Sequence, residues 1–263
     1  MKHLVAIGEA LIDFAPQQAG SPIKHTECFL PKVGGAPANV CGAYARLGGR
    51  AVMLTQLGKD PFGDKIVEEL ADSGINVDHI SRTDEANTSL AFVALMENGD
   101  REFSFYRKPG ADMLYQPEQV PENVFRDAYA LHFCSVSLGD FPMKEAHKKA
   151  VEYASKAGAV ISFDPNLRPQ LWEDEEKLCT AVKEFLPYSD ILKLSDEELF
   201  FITGNRFRMH WRTCLIWEFP WCFTQREVMG QRYIPARHRQ AYRAETKRQW
   251  ILPVPETVLS VPS

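Results

Sequence analysis

Apolar and polar positions in the first 200 residues follow two periods that take turns. Leu4-Val5-Ala6-Ile7 is a short apolar run closed by Gly8, the pattern of a strand buried on both faces of a parallel sheet. Residues 39–48 have helical spacing, with Val40, Ala43, Tyr44 and Leu47 on one side, and Gly48-Gly49 ends them. Ala51 to Gln56 reads as the next strand. Pro61-Phe62-Gly63-Asp64 opens a second helix with Ile66, Val67 and Leu70 on its apolar face. The alternation returns with strands at 129–133, 159–163 and 191–194 and helices at 142–157 and 174–185. Ser195 followed by Glu198 has the spacing of a capping box at another helix start. Such alternation predicts a layered α/β fold around a mostly parallel sheet.

Two stretches break that pattern. Thr88–Met96 and Arg101–Arg107 are rich in β-formers and are joined by Glu97-Asn98-Gly99-Asp100, a strong hairpin signal. Strand alternation puts Phe103, Phe105 and Arg107 on one side, and Ser104 and Tyr106 on the other. A hairpin set into an α/β pattern suits a lid or a subunit contact. Core packing is the simpler account of Phe103, while Arg107 suits a polar ligand.

The composition, 45% hydrophobic and 25% charged over 263 residues, is that of an ordinary globular protein. No apolar run nears the roughly 20 residues of a membrane helix, and Glu9 interrupts the N-terminus too early for a signal peptide. Six scattered cysteines without a CxxC pair suit reduced thiols, so a cytoplasmic protein without membrane attachment is expected. The net charge of −5 conceals a division. The 59 residues after Gly204 hold nine Arg and one Lys against four Glu and no Asp, with four of the five tryptophans and one of 16 glycines. So sharp a change marks a boundary near residue 204.

The candidate chemistry gathers where strands end, the edge at which open α/β sheets bind ligands. Gly34-Gly35 before a helix lets backbone approach a ligand and aims free N–H groups at an anion or a polyhydroxy compound. Asn39 either caps that helix or bonds a ligand hydroxyl. Glu9 and Asp13 follow the first strand, and Asp164, Asn166 and Arg168 follow the strand at 159–163. A turn cap accounts for Asp164, whereas Asn166 and Arg168 together point to function.

Gly8-Glu9-Ala10-Leu11-Ile12-Asp13, Gly34-Gly35-Ala36-Pro37-Ala38-Asn39-Val40, Arg46-Leu47-Gly48-Gly49 and Asp60-Pro61-Phe62-Gly63 together resemble the ribokinase-like (PfkB) sugar kinases. Three further stretches resemble the fructokinase branch: Phe105 to Met113, Phe163-Asp164-Pro165-Asn166-Leu167-Arg168 with Leu171-Trp172, and Leu194 to Leu199. The resemblance runs over residues 1–204. It implies a ribokinase-like three-layer α/β sandwich with a small β lid from about residues 15–33 and 88–108. It implies transfer of the ATP γ-phosphoryl to a sugar hydroxyl with Mg²⁺, fructose being the expected sugar. Kinases of 2-keto-3-deoxygluconate and of aminoimidazole riboside look similar. By the same resemblance Asp13 and Asn39 bond sugar hydroxyls beside the Gly34-Gly35 backbone, and Phe105 and Arg107 reach down from the lid. Asn166 and Arg168 lie near the sugar or the moving phosphoryl, and Glu198 orders Mg²⁺ and phosphate. Ser195 stands where the family's Asn-x-x-Glu motif has Asn. A homodimer through the lid is a further implication.

The family's Gly-Ala-Gly-Asp signature, source of an anion hole and of the Asp base, is absent, and no Asp follows Asp196. The expectation is therefore a C-terminally truncated kinase fold, doubtful in ATP binding and inactive as it stands, or a non-catalytic sugar-binding remnant. Residues 205–263 read as an unrelated, poorly ordered Arg/Trp-rich tail produced by a frameshift near Asn205. Arg239, Arg243 and Lys247 have helical spacing, but no nucleic-acid motif accompanies them, so nucleic acid is not an expected partner.

Overall fold

The computed structural model describes residues 2–96, 101–204, 221–226 and 230–235. The chain starts with β1 (His3–Ile7), then β2 (Leu11–Pro16) and β3 (Phe29–Gly34), and enters α1 (Ala36–Arg46). Next come β4 (Ala51–Gly58), α2 (Pro61–Asp72), β5 (Ile75–Asn76), β6 (Ile80–Thr83), β7 (Leu90–Leu95) and β8 (Arg101–Tyr106). After the short α3 (Glu122–Phe125) follow β9 (Ala128–Cys134), α4 (Pro142–Lys156), β10 (Val160–Asp164) and α5 (Glu175–Phe185). The last elements are β11 (Ile191–Ser195), α6 (Asp196–Thr203), β12 (Trp221–Arg226) and β13 (Gly230–Pro235).

The main sheet runs β13-β12-β11-β10-β9-β1-β4-β5, with β6 also on β4, and every pair is parallel except β12 with β13. The chain steps from β1 to β4 on one side and returns to β9 on the other. Loops therefore part at the C-terminal end of β1, the switch point where such sheets bind ligands. Alternate residues face opposite layers. Ala6, Ala51 and Met53 pack with Ala38 and Cys41 of α1 and Ile66 and Leu70 of α2. Ile7, Leu54, Phe133, Phe163 and Leu194 pack with Met143 and Ala150 of α4, Phe185 of α5 and Ile202 of α6. Phe133 stacks on Phe163 at 4.7 Å and meets Phe185 edge-on. Helix starts are fixed locally: Asp60 accepts from Gly63 N–H at 2.8 Å, and Asp174 from Lys177 N–H at 2.6 Å.

A separate four-stranded sheet, β3-β2-β7-β8, forms the lid. It meets the body at four passages: β1 to β2, β3 to α1, the residues before β7, and those after β8. The expected turn at 97–100 lies outside the described residues.

Two boundaries differ from those the spacing predicts. The first helix begins at Ala36, not Asn39, because Gly35 is its N-cap and Pro37 sits in the first turn, where a missing N–H goes unnoticed. The tail after Gly204 is not wholly apart from the fold. Residues 221–226 pair with β11 and 230–235 with β12, as the β-forming run Trp221-Cys222-Phe223-Thr224 allows. The remainder of 205–263, with Arg239, Arg243 and Lys247, lies outside the described residues.

Candidate active site

The glycine turn is shaped by close contacts on both glycines, which exclude a side chain at Gly35. A Cβ on Gly35, at φ +105°, would lie 2.5 Å from the Glu9 carbonyl oxygen. One on Gly34 would lie 2.0 Å from Asp13 Oδ2, so Asp13 and the Gly34 backbone share one wall. The N-terminus of α1, read above as a seat for an anion, is already taken. Glu9 Oε1 accepts from Ala36 N–H at 3.1 Å. Glu9 therefore fills that seat itself, and its carboxyl is pushed above the usual range by burial, with the Arg107 charge opposing. Asn39 does not cap the helix. It lies inside the first turn, its N–H donating to Gly35 O at 2.9 Å and its side chain exposed.

Register carries Asp13 across the lid. Asp13 is opposite Ala91, which is opposite Phe105, so the carboxylate and the ring share a row and a face. Phe103, expected in the core, is half-buried. Its ring lies parallel to Phe105 at 5.8 Å, and the Arg168 guanidinium sits 5.9 Å from its centroid. Burial raises the Asp13 carboxyl, and the Arg168 charge pulls it back. The lid carboxyl and the body guanidinium thus lie close enough for the arginine's charge to act on Asp13.

The loop after β10 is pinned from β11 and α6. Asn166 holds φ 45°, a left-handed position that Asn tolerates better than most side chains. Glu198 Oε1 accepts from Leu167 N–H at 2.9 Å, and its Oε2 accepts from Ser195 N–H at 2.7 Å. The Ser195 hydroxyl accepts in return from Glu198 N–H at 3.1 Å, completing the capping box. Arg168 Nη1 donates to Leu167 O at 2.8 Å. Lys193, not singled out in the sequence, lies 3.1 Å from Asp164 Oδ2. Burial raises the Asp164 carboxyl, with Lys193 opposing. The visible signal was a lysine inside the apolar strand Ile191-Leu192-Lys193-Leu194, where an unpaired charge would be costly.

Arg107 does not continue the alternation of its strand. Strand pairing ends at Tyr106, so alternation no longer directs the next side chain, and Arg107 turns into the body. It is 6% exposed, and its Nε donates to Asp112 Oδ2 at 2.9 Å, with Nη2 on the same oxygen. The site residues thus divide. Asp13, Gly34, Phe105 and Arg168 come together around the lid row, Asn166 and Glu198 lie on or against the adjoining loop, and Arg107 belongs to a buried cluster.

Among the described residues no three His, Cys, Asp or Glu side chains are grouped to hold a metal, and Glu198 gives both oxygens to backbone N–H groups.

A small β lid over the switch point of a helix–sheet–helix body is the arrangement of a ribokinase-like carbohydrate kinase. The family model described as pfkB family carbohydrate kinase matches residues 1–208, and the chain belongs to that family. It is 44% identical over 203 residues to probable fructokinase-3 of Arabidopsis thaliana, covering 77% of this chain and 59% of that one. It is 44% identical over 202 residues to fructokinase-2 of Solanum habrochaites, covering 77% and 62%. The chain thus spans about three-fifths of the length of these curated relatives. The crystal structure of fructokinase from Xylella fastidiosa superposes with a TM-score of 0.80 at 35% identity, over 90% of this chain and 76% of that one. A putative ribokinase II from E. coli, in complex with ATP and Mg²⁺, gives a TM-score of 0.80 at 29% identity, over 90% and 76%. Among the described residues no helix is long and apolar enough to cross a membrane.

Proposed function

We propose that residues 1–204 form the sugar-binding half of a fructokinase-type kinase. Fructose, the substrate class named by the relatives, would be held between Asp13, the Gly34-Gly35 backbone, Asn39 and Phe105 on one side and Asn166 and Arg168 on the other. The observation that carries this reading is Asp13. Its half-buried carboxyl lies against Gly34, where a Cβ would displace it, and the protein holds it there although burial disfavours its ionised form. A half-exposed carboxyl and guanidinium suit a ligand with several hydroxyls. Glu198, by ordering the Asn166–Arg168 loop, supports the phosphoryl side.

ATP is the expected phosphoryl donor, as in the family. The 263 residues contain no Gly-x-Gly-Asp, so the Asp base and its anion hole are missing from this chain. Loss of such a base costs on the order of 10²–10⁴ in rate. The chain is accordingly proposed to bind sugar without useful turnover. Titration calorimetry with fructose, 2-keto-3-deoxygluconate and aminoimidazole riboside tests the sugar, and coupled ATP turnover tests the inactivity. Fructose binding with negligible turnover is expected. No heat with any of the three sugars would defeat the reading, and fructose-dependent ADP release would defeat the inactivity. The exposed Leu30 and Tyr106 on the lid's edge strands suit pairing with a second lid, which sedimentation velocity would detect.

A further inference from the structure

All four passages between lid and body meet in one buried polar cluster. Glu9 lies on the passage from β1 to β2. Ala36, whose N–H donates to Glu9, lies where β3 runs into α1. Ser89 immediately precedes β7, and Arg107 immediately follows β8. The links close on one another. Asp112 accepts from Arg107 through Oδ2 and from the Ser89 hydroxyl through Oδ1. Arg107 Nη2 also donates to Ser137 Oγ at 3.3 Å, and Ser137 donates to Glu9 Oε2 at 3.1 Å. Arg107 Nη1 donates to Val136 O at 3.2 Å. Glu9, Ser89, Arg107, Asp112 and Ser137 are all buried. Even the backbone makes way, since a Cβ on Gly110 would lie 1.9 Å from Ser89 Oγ.

A lid that swings freely needs solvated connections. Here two carboxylates and one guanidinium have been taken out of water, which is tolerable only while the geometry is complete. Partial opening would leave buried charges without partners, so the cluster favours one lid pose over a continuum of poses. The register transmits that pose to the site. Ser89 precedes Leu90, which pairs with Ile12, and the next pair is Ala91 with Asp13. A shift at Ser89 therefore moves the row that carries Asp13 and Phe105.

We infer that Glu9, Ser137, Arg107, Asp112 and Ser89 form a hinge lock that holds the lid over the glycine turn, and that Arg107 is a positioning residue and not a ligand group. The effect on sugar rests on the sugar-site reading above; the effect on the lid does not. Hydrogen exchange and fructose calorimetry on the full chain and on Ser137→Ala, Glu9→Gln and Arg107→Lys separate the two. Lid amides in 90–95 and 101–106 should exchange about tenfold faster in each variant, while β1, β4 and β9 amides keep their rates. Fructose affinity should fall about five- to tenfold in all three. If Arg107→Lys alone weakens fructose while Ser137→Ala and Glu9→Gln leave lid exchange unchanged, Arg107 is a ligand group and the hinge lock is wrong. Uniform acceleration across lid and body would equally overturn it, as a loss of general stability. If the unmodified chain binds no fructose, the sugar-site reading fails and lid exchange alone decides the hinge. Should a variant fail to fold by circular dichroism, Ser89→Ala, the mildest removal, carries the same exchange test.

Discussion

Two polar clusters share the C-terminal edge of one sheet, and they differ in closure. In the hinge cluster every carboxylate oxygen of Glu9 and Asp112 accepts from a protein donor. Around the lid row, Asp13, Asn166, Arg168 and Lys193 are half-buried and reach solvent. Glu9 and Asp13 are four residues apart beyond the same strand, yet Glu9 is buried with both oxygens bonded and Asp13 is half-buried. The cause is local. β2 begins at Leu11, and from there alternation turns Asp13 toward Gly34, while Glu9 sits before the strand and meets the start of α1. Charge at a strand end therefore identifies an edge. A charge that is buried and fully answered from within belongs to the framework, and a half-exposed one such as Asp13 is a candidate for binding.

The largest expected effect breaks the comparison at its closed end. Arg107→Met would leave Asp112 and Glu9 buried without a counter-charge, and should lower unfolding free energy by about 3–5 kcal/mol. Arg168→Met removes a half-buried guanidinium and should cost no more than about 1 kcal/mol. Urea midpoints of the two variants measure the gap. Equal midpoints would erase the distinction between closed and open clusters.

The layers were legible because their signals are periodic. Apolar runs ending in glycine or turn residues placed β1, β9, β10 and β11, and β-rich segments placed β7 and β8. What the chain order could not show was where alternation stops. Arg107 shares a period with Phe105 on paper but lies one residue past the last pair, Leu90 with Tyr106. The start of α1 was hidden for a similar reason, since Pro37 looks like a helix breaker until Gly35 is known to be the cap. Lys193 was passed over because its partner Asp164 is 29 residues away on the neighbouring strand, a contact that only sheet register reveals. Glu198 was legible as a cap, but its second bond, to Leu167 N–H, was not.

The next effect sharpens the open end. Asp13→Asn keeps the shape of the side chain and removes its charge, and should weaken fructose binding by roughly 10- to 100-fold, the loss of one or two charge-assisted bonds. Stability should move the other way. Burial raises the folded-state Asp13 carboxyl above its ordinary value, so the native protein resists ionising it. Below the ordinary aspartate range the group is protonated whether folded or unfolded, and no penalty exists. As pH rises through the raised folded value, the unfolded chain ionises more readily and stability is lost. Asp13→Asn should therefore melt higher than the parent at neutral pH, with the gap closing on acidification. Loss of both affinity and neutral-pH stability would place Asp13 with the framework instead.

The smallest effect concerns Phe103, where core packing and ligand positioning make opposite claims on one ring. Its aromatic face lies toward Arg168, and a cation–π contact of that kind is worth about 0.5–1 kcal/mol at a partly exposed site. Phe103→Leu preserves apolar bulk but removes the face, so Arg168 should lose its preferred position and fructose binding should weaken about two- to fivefold. Phe103→Tyr keeps the face and should restore the affinity. A residue used only for packing would behave differently, because leucine would be the better tolerated of the two and the polar tyrosine the worse. The double variant Phe103→Leu with Arg168→Met completes the cycle. If its two affinity losses simply add, ring and guanidinium act separately and Phe103 belongs with the core. If the second loss disappears once the first is made, the lid holds the body's arginine in place through that ring, and the open cluster extends one residue further along β8 than its charges indicate.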